Sequence, residues 1–327
     1  MKRILVTGGA GFLGSHLCEH LLARGADVVC IDNFFSGSKD NIRPFLAHPY
    51  FEFIRHDVIH PLFLEVDGIY HLACPASPIH YQQNAIKTVK TNVMGTINML
   101  GLAKRIRSRM LLTSTSEVYG KSPKVPFAET DDLVIGPPTF RRWSYATAKA
   151  VDEFLALAHW HHSRLPVVIV RLFNTVGPRQ SGQYGMVIPR FVRQALLGRP
   201  ITVYGDGSQT RCFCHVGDVV GALVALLDNP AAYGEIFNVG TDREISIRKL
   251  AEMVRAIAQS RSEIVHVPYQ EAYGTGFEDM ERRVPDLAKV RRLIGYEPRG
   301  TLEQTLEDVI RYVRGQLDTD PEIASGG

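Results

Sequence analysis

The sequence is short of cysteine, of net charge and of long apolar runs. Its 327 residues include five cysteines in no repeating spacing and carry a formal net charge of +3. An odd number of scattered cysteines argues against a disulfide framework and favours a reducing compartment. Acids and bases that nearly balance argue against nucleic acid as the main partner. No apolar run approaches the roughly 18 residues of a transmembrane helix, so no membrane partner is expected.

The first residues and the cysteine pattern extend these expectations. An apolar strand predicted at 3–7 begins almost at Met1, which leaves no room for a signal peptide. Cys212 and Cys214 alternate along a predicted strand, and we interpret them as packed thiols rather than as a metal site. The sequence therefore predicts a cytoplasmic protein with no metal site.

Strands and helices alternate regularly over the first half of the chain. This alternation predicts an α/β fold with a doubly wound parallel sheet. After Gly177 the pattern changes to helices spaced by short strands, which predicts a smaller second α/β domain. We expect the first domain to cover 1–178 with 212–242 returning to it, the second to comprise 179–211 and 243–315, and 316–327 to form a disordered tail.

A glycine-rich motif, TGGAGFLG at residues 7–14, follows the first predicted strand and opens the first predicted helix. Gly8 suits the tight turn, Gly11 lets the backbone approach a pyrophosphate, and Gly14 lets helix and strand pack closely. The helix N-terminus would face the phosphates with its partial positive charge. In this context the motif predicts a Rossmann-type dinucleotide-binding domain.

Acidic residues end the second and third predicted strands. Asp32 is placed to accept hydrogen bonds from an adenosine ribose, and its charge would repel a 2′-phosphate, which favours NAD over NADP. Asp57 and Val58 are predicted to flank the adenine, although a simple surface turn explains this pair equally well.

Tyr145 and Lys149 lie four residues apart in SYATAK, residues 144–149, and therefore on one face of a predicted helix. An ammonium near a phenol favours the phenolate and lowers the pKa of the tyrosine. Tyr145 is therefore a candidate catalytic base for an alcohol oxidised by NAD, with Lys149 as its partner. A pair at this spacing is often only a helix surface, and the upstream glycine motif favours the catalytic interpretation.

Glu117 directly follows three hydroxyl residues at the end of a predicted strand, in the motif STSEVYG. Strand ends in α/β proteins open onto ligand crevices, so a carboxylate at this place is a candidate functional group. The alternative is that Glu117 caps the turn before Val118.

These motifs, together with RLFNTVGPR at 171–179, resemble the extended short-chain dehydrogenases/reductases that act on nucleotide sugars. The segments DNFFSG (32–37), HLACPASPIHY (71–81) and VYGDGSQTRCF (203–213) resemble UDP-glucuronic acid decarboxylases, also called UDP-xylose synthases. The resemblance covers nearly the whole chain. It implies an NAD-binding domain followed by a nucleotide-sugar-binding domain.

The resemblance also implies a reaction, the decarboxylation of UDP-glucuronate to UDP-xylose through a 4-keto intermediate with tightly bound NAD. Tyr145 would remove the proton of the carbon 4 hydroxyl while Thr115 holds that hydroxyl. Carbon dioxide can then leave because the ketone β to the carboxylate accepts the electrons. Ser116 and Glu117 would orient the sugar and manage the proton that returns to carbon 5, and Arg283 would contribute to decarboxylation.

The same resemblance implies two sets of binding residues. The cofactor set is Gly8, Gly11, Phe12, Leu13, Gly14, Asp32, Asn33, Phe34, Ser36, Gly37, Asp57, Val58, Leu72, Ala73, Tyr145 and Lys149. The nucleotide-sugar set is Pro78, Tyr81, Asn174, Arg179, Tyr204, Gln209, Arg211 and Arg283. Arginine suits a diphosphate because its planar fork satisfies oxygens in pairs.

One motif departs from the decarboxylase pattern. Those enzymes usually carry Cys-Tyr-Asp-Glu-Gly-Lys where this chain has SYATAK, which is closer to nucleotide-sugar epimerases or to the decarboxylase domain of a bacterial lipid A-modifying enzyme. A 4-epimerase of UDP-glucose or UDP-glucuronate therefore stays open. A dehydratase also stays open but is less favoured, because those enzymes carry an Asp-Glu pair where this chain has Ser116 and Glu117. A non-catalytic sugar-nucleotide sensor also stays open, although a sensor would not need Thr115, Tyr145 and Lys149.

Similar enzymes pair two long helices into a four-helix interface between subunits. The helices predicted here at 84–107 and 144–162 are long and partly apolar. We therefore expect a homodimer through these two helices.

Overall fold

The computed structural model describes residues 1–77, 83–182, 186–268 and 282–319. The strands, in chain order, are β1 (Arg3–Thr7), β2 (Asp27–Asp32), β3 (Phe51–Arg55), β4 (Gly68–His71), β5 (Arg109–Thr115), β6 (Val167–Leu172), β7 (Thr175–Val176), β8 (Ile201–Tyr204), β9 (Thr210–Cys212), β10 (Cys214–His215), β11 (Glu235–Val239), β12 (Glu244–Ser246) and β13 (Ile264–Val267). The helices are α1 (Phe12–Ala23), α2 (Lys39–Ile42), α3 (Ala85–Ile106), α4 (Trp143–Ser163), α5 (Val187–Leu196), α6 (Val216–Asp228), α7 (Ile247–Ile257), α8 (Ala288–Ile294) and α9 (Leu302–Thr319).

A seven-stranded sheet in the order β11-β6-β5-β4-β1-β2-β3 forms the centre of the molecule. All of its strand pairs are parallel. The chain runs outward from β1 to β3 and then returns to β4 on the other side of β1, which is a topological switch point. The predicted Rossmann-type doubly wound fold is confirmed, and ligand crevices in such sheets lie at the carboxyl ends of the strands beside this switch point.

Apolar helices cover both faces of the sheet. Val6 and Val28 pack with buried residues of α1 and α6, whereas Leu5 and Val29 pack with buried residues of α3 and α4. Neighbouring residues of one strand thus reach opposite layers, because successive side chains of a strand point to opposite faces. The apolar runs within these strands follow from this burial on both sides.

A second apolar core lies between α5, α7 and α9, next to the short parallel pair β8 and β13. This smaller α/β part is the one that the change of pattern after Gly177 predicts. The strand β11 pairs with β6 and so belongs to the central sheet. The domain boundaries that we predict stay a prediction.

The last described helix extends further than expected. Residues 316–319 belong to α9, so the prediction that they are part of a disordered tail is wrong. Val313 and Leu317 lie four residues apart and both pack against the second core, and this apolar stripe prolongs the helix. Residues 320–327 lie outside the described residues.

None of the helices in the described ranges combines the length and the apolar composition that crossing a membrane requires.

Candidate active site

A cavity of about 800 Å³ lies where the central strands end, between the sheet and the second core. It collects residues that follow β1, β2, β4, β5 and β6, together with residues of α5 and α9. The sequence-predicted residues that line it are Gly8, Gly11, Phe12, Leu13, Gly14, Asp32, Asn33, Ser36, Gly37, Asp57, Val58, Leu72, Ala73, Thr115, Ser116, Glu117, Tyr145, Lys149, Asn174, Arg179, Tyr204, Gln209, Arg211 and Arg283. One cavity therefore contains the predicted catalytic residues and most members of both predicted binding sets.

Three predicted residues are not among these lining residues. Phe34 has a φ of 60° and its ring packs against Phe53 of β3, with 5.0 Å between the centroids. This left-handed backbone directs Phe34 to the sheet edge, and the next residue, Phe35, lines the cavity instead. Pro78 and Tyr81 lie outside the described residues.

The glycine-rich turn brings backbone, without side chains, to the cavity wall. Gly8 has a φ of 69°, and a Cβ there would lie 2.9 Å from the Ala73 Cα. A Cβ on Gly14 would lie 2.1 Å from the Gly8 carbonyl oxygen. Only glycine allows α1 to begin this close to β1. The first turn of α1 can then direct its free N–H groups into the cavity, an arrangement that fits a pyrophosphate.

Asp32 is held rigidly at the end of β2. Its Oδ1 accepts a hydrogen bond from the Phe34 N–H at 2.8 Å, and its Oδ2 accepts one from the Ala10 N–H at 3.1 Å. Burial raises the pKa of Asp32, against the effect of these backbone donors. A carboxylate has about four acceptor sites, so lone pairs remain for the hydroxyls of a ribose.

Tyr145 and Lys149 lie on one face of α4, as their spacing predicts, and both line the cavity. Burial raises the pKa of Tyr145 well above its ordinary value, and Cys74 and Glu117 act in the same direction, while a hydrogen bond with Thr115 lowers it. The predicted lowering of this pKa is therefore not what the groups of the chain produce, because desolvation disfavours the phenolate.

The Lys149 ammonium has partners of its own beneath the cavity. It donates a hydrogen bond to the Thr113 carbonyl at 2.9 Å and lies 3.5 Å from the Asp152 carboxylate. Both Lys149 and Asp152 are buried. Contacts with a carbonyl of β5 and with a carboxylate of α4 therefore fix the position of the ammonium.

Glu117 forms an ion pair with Arg283 at the cavity wall. Arg283 Nη1 lies 3.3 Å from Glu117 Oε1, and both side chains are largely buried. Glu117 Oε2 is buried and has no hydrogen-bond partner among the described residues. The Glu117 N–H is capped by the Thr115 hydroxyl at 3.3 Å. Thr115, and not the Glu117 side chain, therefore caps the turn, which leaves the Glu117 carboxylate for other contacts.

The predicted nucleotide-sugar residues come from several elements. The Gln209 amide donates to the Tyr204 carbonyl at 3.1 Å, and the Asn174 amide donates to the Cys212 carbonyl at 3.1 Å. Arg211 is buried and donates to the Thr210 carbonyl at 2.7 Å. These backbone contacts hold the polar side chains of Asn174, Gln209 and Arg211 at the cavity.

Arg179, like Arg283, is engaged in an ion pair. Its Nη2 lies 2.7 Å from Glu19 Oε2 of α1. This contact joins the segment after β6 to the helix that carries the glycine motif.

The structure adds cavity residues that the sequence did not reveal. Cys74 Sγ lies 3.8 Å from the Tyr145 hydroxyl, and the buried Arg142 lies one helical turn before Tyr145. Strand-end and helix-spacing arguments would have found these two. The Arg190 guanidinium lies 3.9 Å from the centre of the Tyr204 ring, and no local signal indicates that long-range contact.

Comparison with known proteins agrees with this site. The family model described as GDP-mannose 4,6 dehydratase matches residues 5–309. The chain belongs to this family. Membership confirms the resemblance to extended short-chain dehydrogenases/reductases of nucleotide sugars.

Within the GDP-mannose 4,6 dehydratase family, the chain is similar to proteins named UDP-glucuronic acid decarboxylase. It is 45% identical to UDP-glucuronic acid decarboxylase 1 of Arabidopsis thaliana over 320 residues, which cover 98% of this chain and 72% of that protein. It is 44% identical to UDP-glucuronic acid decarboxylase 1 of Danio rerio over 317 residues, which cover 97% of this chain and 74% of that protein. The predicted resemblance to these decarboxylases is confirmed.

Solved structures of the same fold include other nucleotide-sugar enzymes. A UDP-glucuronic acid 4-epimerase from Bacillus cereus, in complex with UDP-glucuronic acid and NAD, has a TM-score of 0.86 and 29% identity and covers 96% of this chain and 99% of that chain. A dTDP-glucose 4,6-dehydratase from Bacillus anthracis, in complex with NAD, has a TM-score of 0.85 and 26% identity and covers 99% of this chain and 100% of that chain.

Proposed function

We propose that this protein is an NAD-dependent UDP-glucuronate decarboxylase that forms UDP-xylose through a 4-keto intermediate. The observation that carries the proposal is the Glu117–Arg283 pair, which lies in one cavity with Thr115 and Tyr145. The similarity to proteins named UDP-glucuronic acid decarboxylase supports it. The neighbour crystallised with UDP-glucuronic acid and NAD supports the choice of ligands.

The groups that would hold NAD belong to the first domain. The N–H groups at the start of α1 would contact the pyrophosphate, and Asp32 would accept hydrogen bonds from the adenosine ribose. Asp57 and Val58 would flank the adenine. When bound, NAD supplies the hydride acceptor and donor at carbon 4 of the sugar.

Tyr145 and Thr115 would serve the carbon 4 oxygen. Burial raises the pKa of Tyr145, so the phenolate that accepts the proton of the sugar hydroxyl would need stabilisation by a cation, and Lys149 lies on the same helix face. Once the ketone exists, the C5–C6 bond breaks and its electron pair moves to the carbon 4 oxygen. The hydroxyls of Tyr145 and Thr115 then donate to this enolate oxygen.

Glu117 and Arg283 would serve carbons 5 and 6. A carboxylate beside the carboxylate of the sugar is a like-charge contact, and Arg283 offsets part of that repulsion. The buried Glu117 Oε2 is the acceptor that remains for a substrate hydroxyl or for the proton that returns to carbon 5. Ser116, the residue before Glu117, would orient the sugar.

The second candidate function is that of a UDP-sugar 4-epimerase. The SYATAK motif favours it, and so does the similarity to the UDP-glucuronic acid 4-epimerase of known structure. The deciding experiment is mass spectrometry of the nucleotide sugar after incubation with UDP-glucuronate and NAD, with Tyr145→Phe as the control.

Each outcome of this experiment has a separate meaning. Loss of carbon dioxide without net NADH supports the decarboxylase, and an unchanged mass with a new retention time means an epimerase. A ketopentose with stoichiometric NADH means an oxidative decarboxylase that releases its intermediate. Tight binding of UDP-glucuronate with neither product nor NADH absorbance means a sensor.

The protein also presents an apolar face that suits the homodimer we expect. The exposed apolar residues of α3 and α4 are Ile86, Val89, Met94, Ile97, Val151 and Phe154. The two helices pack against each other, and these six residues are called the apolar patch of α3 and α4 below. A second copy of the chain would bury it as a four-helix interface.

A cytoplasmic location is likewise a proposal. It rests on the five free cysteines of the chain, which suit a reducing compartment.

A further inference from the structure

A buried amide at the end of β11 connects the two sides of the Glu117–Arg283 pair. The Asn238 side chain is 0% exposed. Its Oδ1 accepts a hydrogen bond from the Tyr119 hydroxyl at 2.7 Å. Its Nδ2 donates a hydrogen bond to the Phe127 carbonyl at 2.9 Å. Asn238 itself lies outside the set of residues that line the cavity.

The Tyr119 contact leads to Glu117. Both residues belong to one short 3₁₀ helix, Ser116–Tyr119, which begins at the capping hydroxyl of Thr115. The Tyr119 ring also stacks on the Phe127 ring, with 4.6 Å between the centroids and 4° between the planes. The position of this helix is therefore tied to Asn238 and to Phe127.

The Phe127 contact leads to Arg283. The Phe127 N–H donates to the Val284 carbonyl at 2.8 Å, and the Asp286 N–H donates to the Phe127 carbonyl at 2.8 Å. These two bonds hold the segment that begins with Arg283 against Phe127. The carbonyl that accepts from Asp286 is the same one that accepts from Asn238.

We propose that Asn238 is a positioning residue that sets the separation between Glu117 and Arg283, and so acts on the decarboxylation step of the proposed function on which this inference rests. Glu117 and Arg283 belong to segments that are distant in sequence. Asn238 forms one hydrogen bond with Tyr119, which anchors the Glu117 segment, and another with Phe127, which anchors the Arg283 segment.

The chemistry of the position requires an amide. One group must accept from a hydroxyl and donate to a carbonyl, and the asparagine amide carries these two functions on separate atoms, Oδ1 and Nδ2. An aspartate would keep the acceptor for Tyr119 but would face the Phe127 carbonyl with a second acceptor. A buried polar group without a hydrogen-bond partner destabilises the protein, so Tyr119 and Phe127 would move apart.

The test compares two variants with a matched control. Tyr119→Phe removes the hydroxyl that donates to Asn238 and keeps the ring stack, and Asn238→Asp replaces the amide donor by a carboxylate oxygen. Tyr296→Phe is the control, because Tyr296 is also buried and donates to a backbone carbonyl, that of Gly240, at 2.8 Å. Single-turnover traces with UDP-glucuronate would record NADH absorbance and carbon dioxide release, and thermal unfolding would record stability.

We expect NADH to form at the wild-type rate in Tyr119→Phe while carbon dioxide release slows about three- to tenfold, so that NADH accumulates. Asn238→Asp should slow the release about tenfold or more. Tyr296→Phe should keep the wild-type ratio of the two rates even where its unfolding temperature falls. A purely structural role would lower stability without changing this ratio.

Two results would overturn the proposal in distinguishable ways. If the wild-type protein releases no carbon dioxide, the proposed function fails and the positioning role fails with it. If the wild-type protein releases carbon dioxide and Tyr119→Phe keeps the wild-type ratio of the two rates, only the positioning role is wrong. Should Asn238→Asp not fold, Tyr119→Phe alone decides between these results.

Discussion

The Arg283 guanidinium lies 3.3 Å from the Glu117 carboxylate, although 166 positions separate the two residues in the chain. Glu117 follows β5 of the central sheet, and Arg283 precedes α8. The pair brings a cation and an anion to one wall of the cavity.

Removing the cation of this pair should slow decarboxylation more than oxidation. Arg283→Gln is expected to lower the rate of carbon dioxide release about ten- to a hundredfold, the range for loss of a hydrogen bond to a charged group. Arg282→Gln is the matched control, because the neighbouring Arg282 pairs with Glu244 outside the cavity. Release of labelled carbon dioxide measures the decarboxylation rate of both variants. Equal losses in the two variants would contradict a role for Arg283 in the site.

Tyr145→Phe and Glu117→Gln should fail at different steps. Without the Tyr145 hydroxyl no group removes the carbon 4 proton, so a single-turnover trace at the NADH wavelength should be flat, with a loss of about 10²–10⁴. Glu117→Gln keeps the shape of the side chain, so the NADH signal should rise and persist. Tyr70→Phe, a change in a buried tyrosine of β4, controls for the loss of a phenol hydroxyl. Full turnover by Glu117→Gln would contradict a role for the Glu117 carboxylate in the reaction.

Asp32→Asn tests the choice of cofactor. The amide keeps the size of the side chain but loses the charge that would repel a 2′-phosphate, so the preference for NAD over NADP should fall about tenfold. Asp27→Asn, at the other end of β2, should leave the preference unchanged. Fluorescence titration with the two cofactors measures the ratio. An unaltered ratio in Asp32→Asn would mean that the carboxylate does not contact the ribose.

His71 should make the fold sensitive to acid. Burial, reinforced by the charge of Lys149, lowers the pKa of His71 from 6.5 to about 3. Between these two values the unfolded chain binds a proton that the folded chain does not, so the free energy of unfolding falls as the pH falls. At pH 5 this contribution amounts to about 2 kcal/mol at most.

Chemical denaturation at pH 7 and pH 5 measures this effect. His71→Asn should lose less stability between the two pH values than the wild-type protein does. His162→Asn, a change in an exposed histidine of α4, should behave like the wild-type protein. An unchanged pH dependence in His71→Asn would contradict the assignment.

Phe154→Glu should dissociate the proposed dimer. Phe154 lies in the apolar patch of α3 and α4 and is 71% exposed. A buried carboxylate without a partner would destabilise the interface by several kcal/mol. Phe63→Glu is the control, since Phe63 is 75% exposed but lies outside this patch. Sedimentation at micromolar concentration should show a monomer for Phe154→Glu alone. A wild-type monomer would overturn the dimer.

The sequence by itself determined those features that depend on neighbours along the chain. The helix α1 begins at Phe12, within the glycine motif that predicts its start, because the signals of this motif are local. The common face of Tyr145 and Lys149 follows from the pitch of a helix. Alternation of strands and helices was enough for the parallel sheet, since parallel strands need crossover connections.

Only the tertiary structure decided what distant segments do to one another. The Glu117–Arg283 pair, the Cys74 thiol beside Tyr145 and the Asn238 contacts join residues with no shared local pattern. The raised pKa of Tyr145 has the same origin, because desolvation depends on everything that packs around the phenol and not on the lysine four residues later. Even the end of α9 depends on the second core, which buries Leu317 and so prolongs a helix whose own sequence predicts a tail.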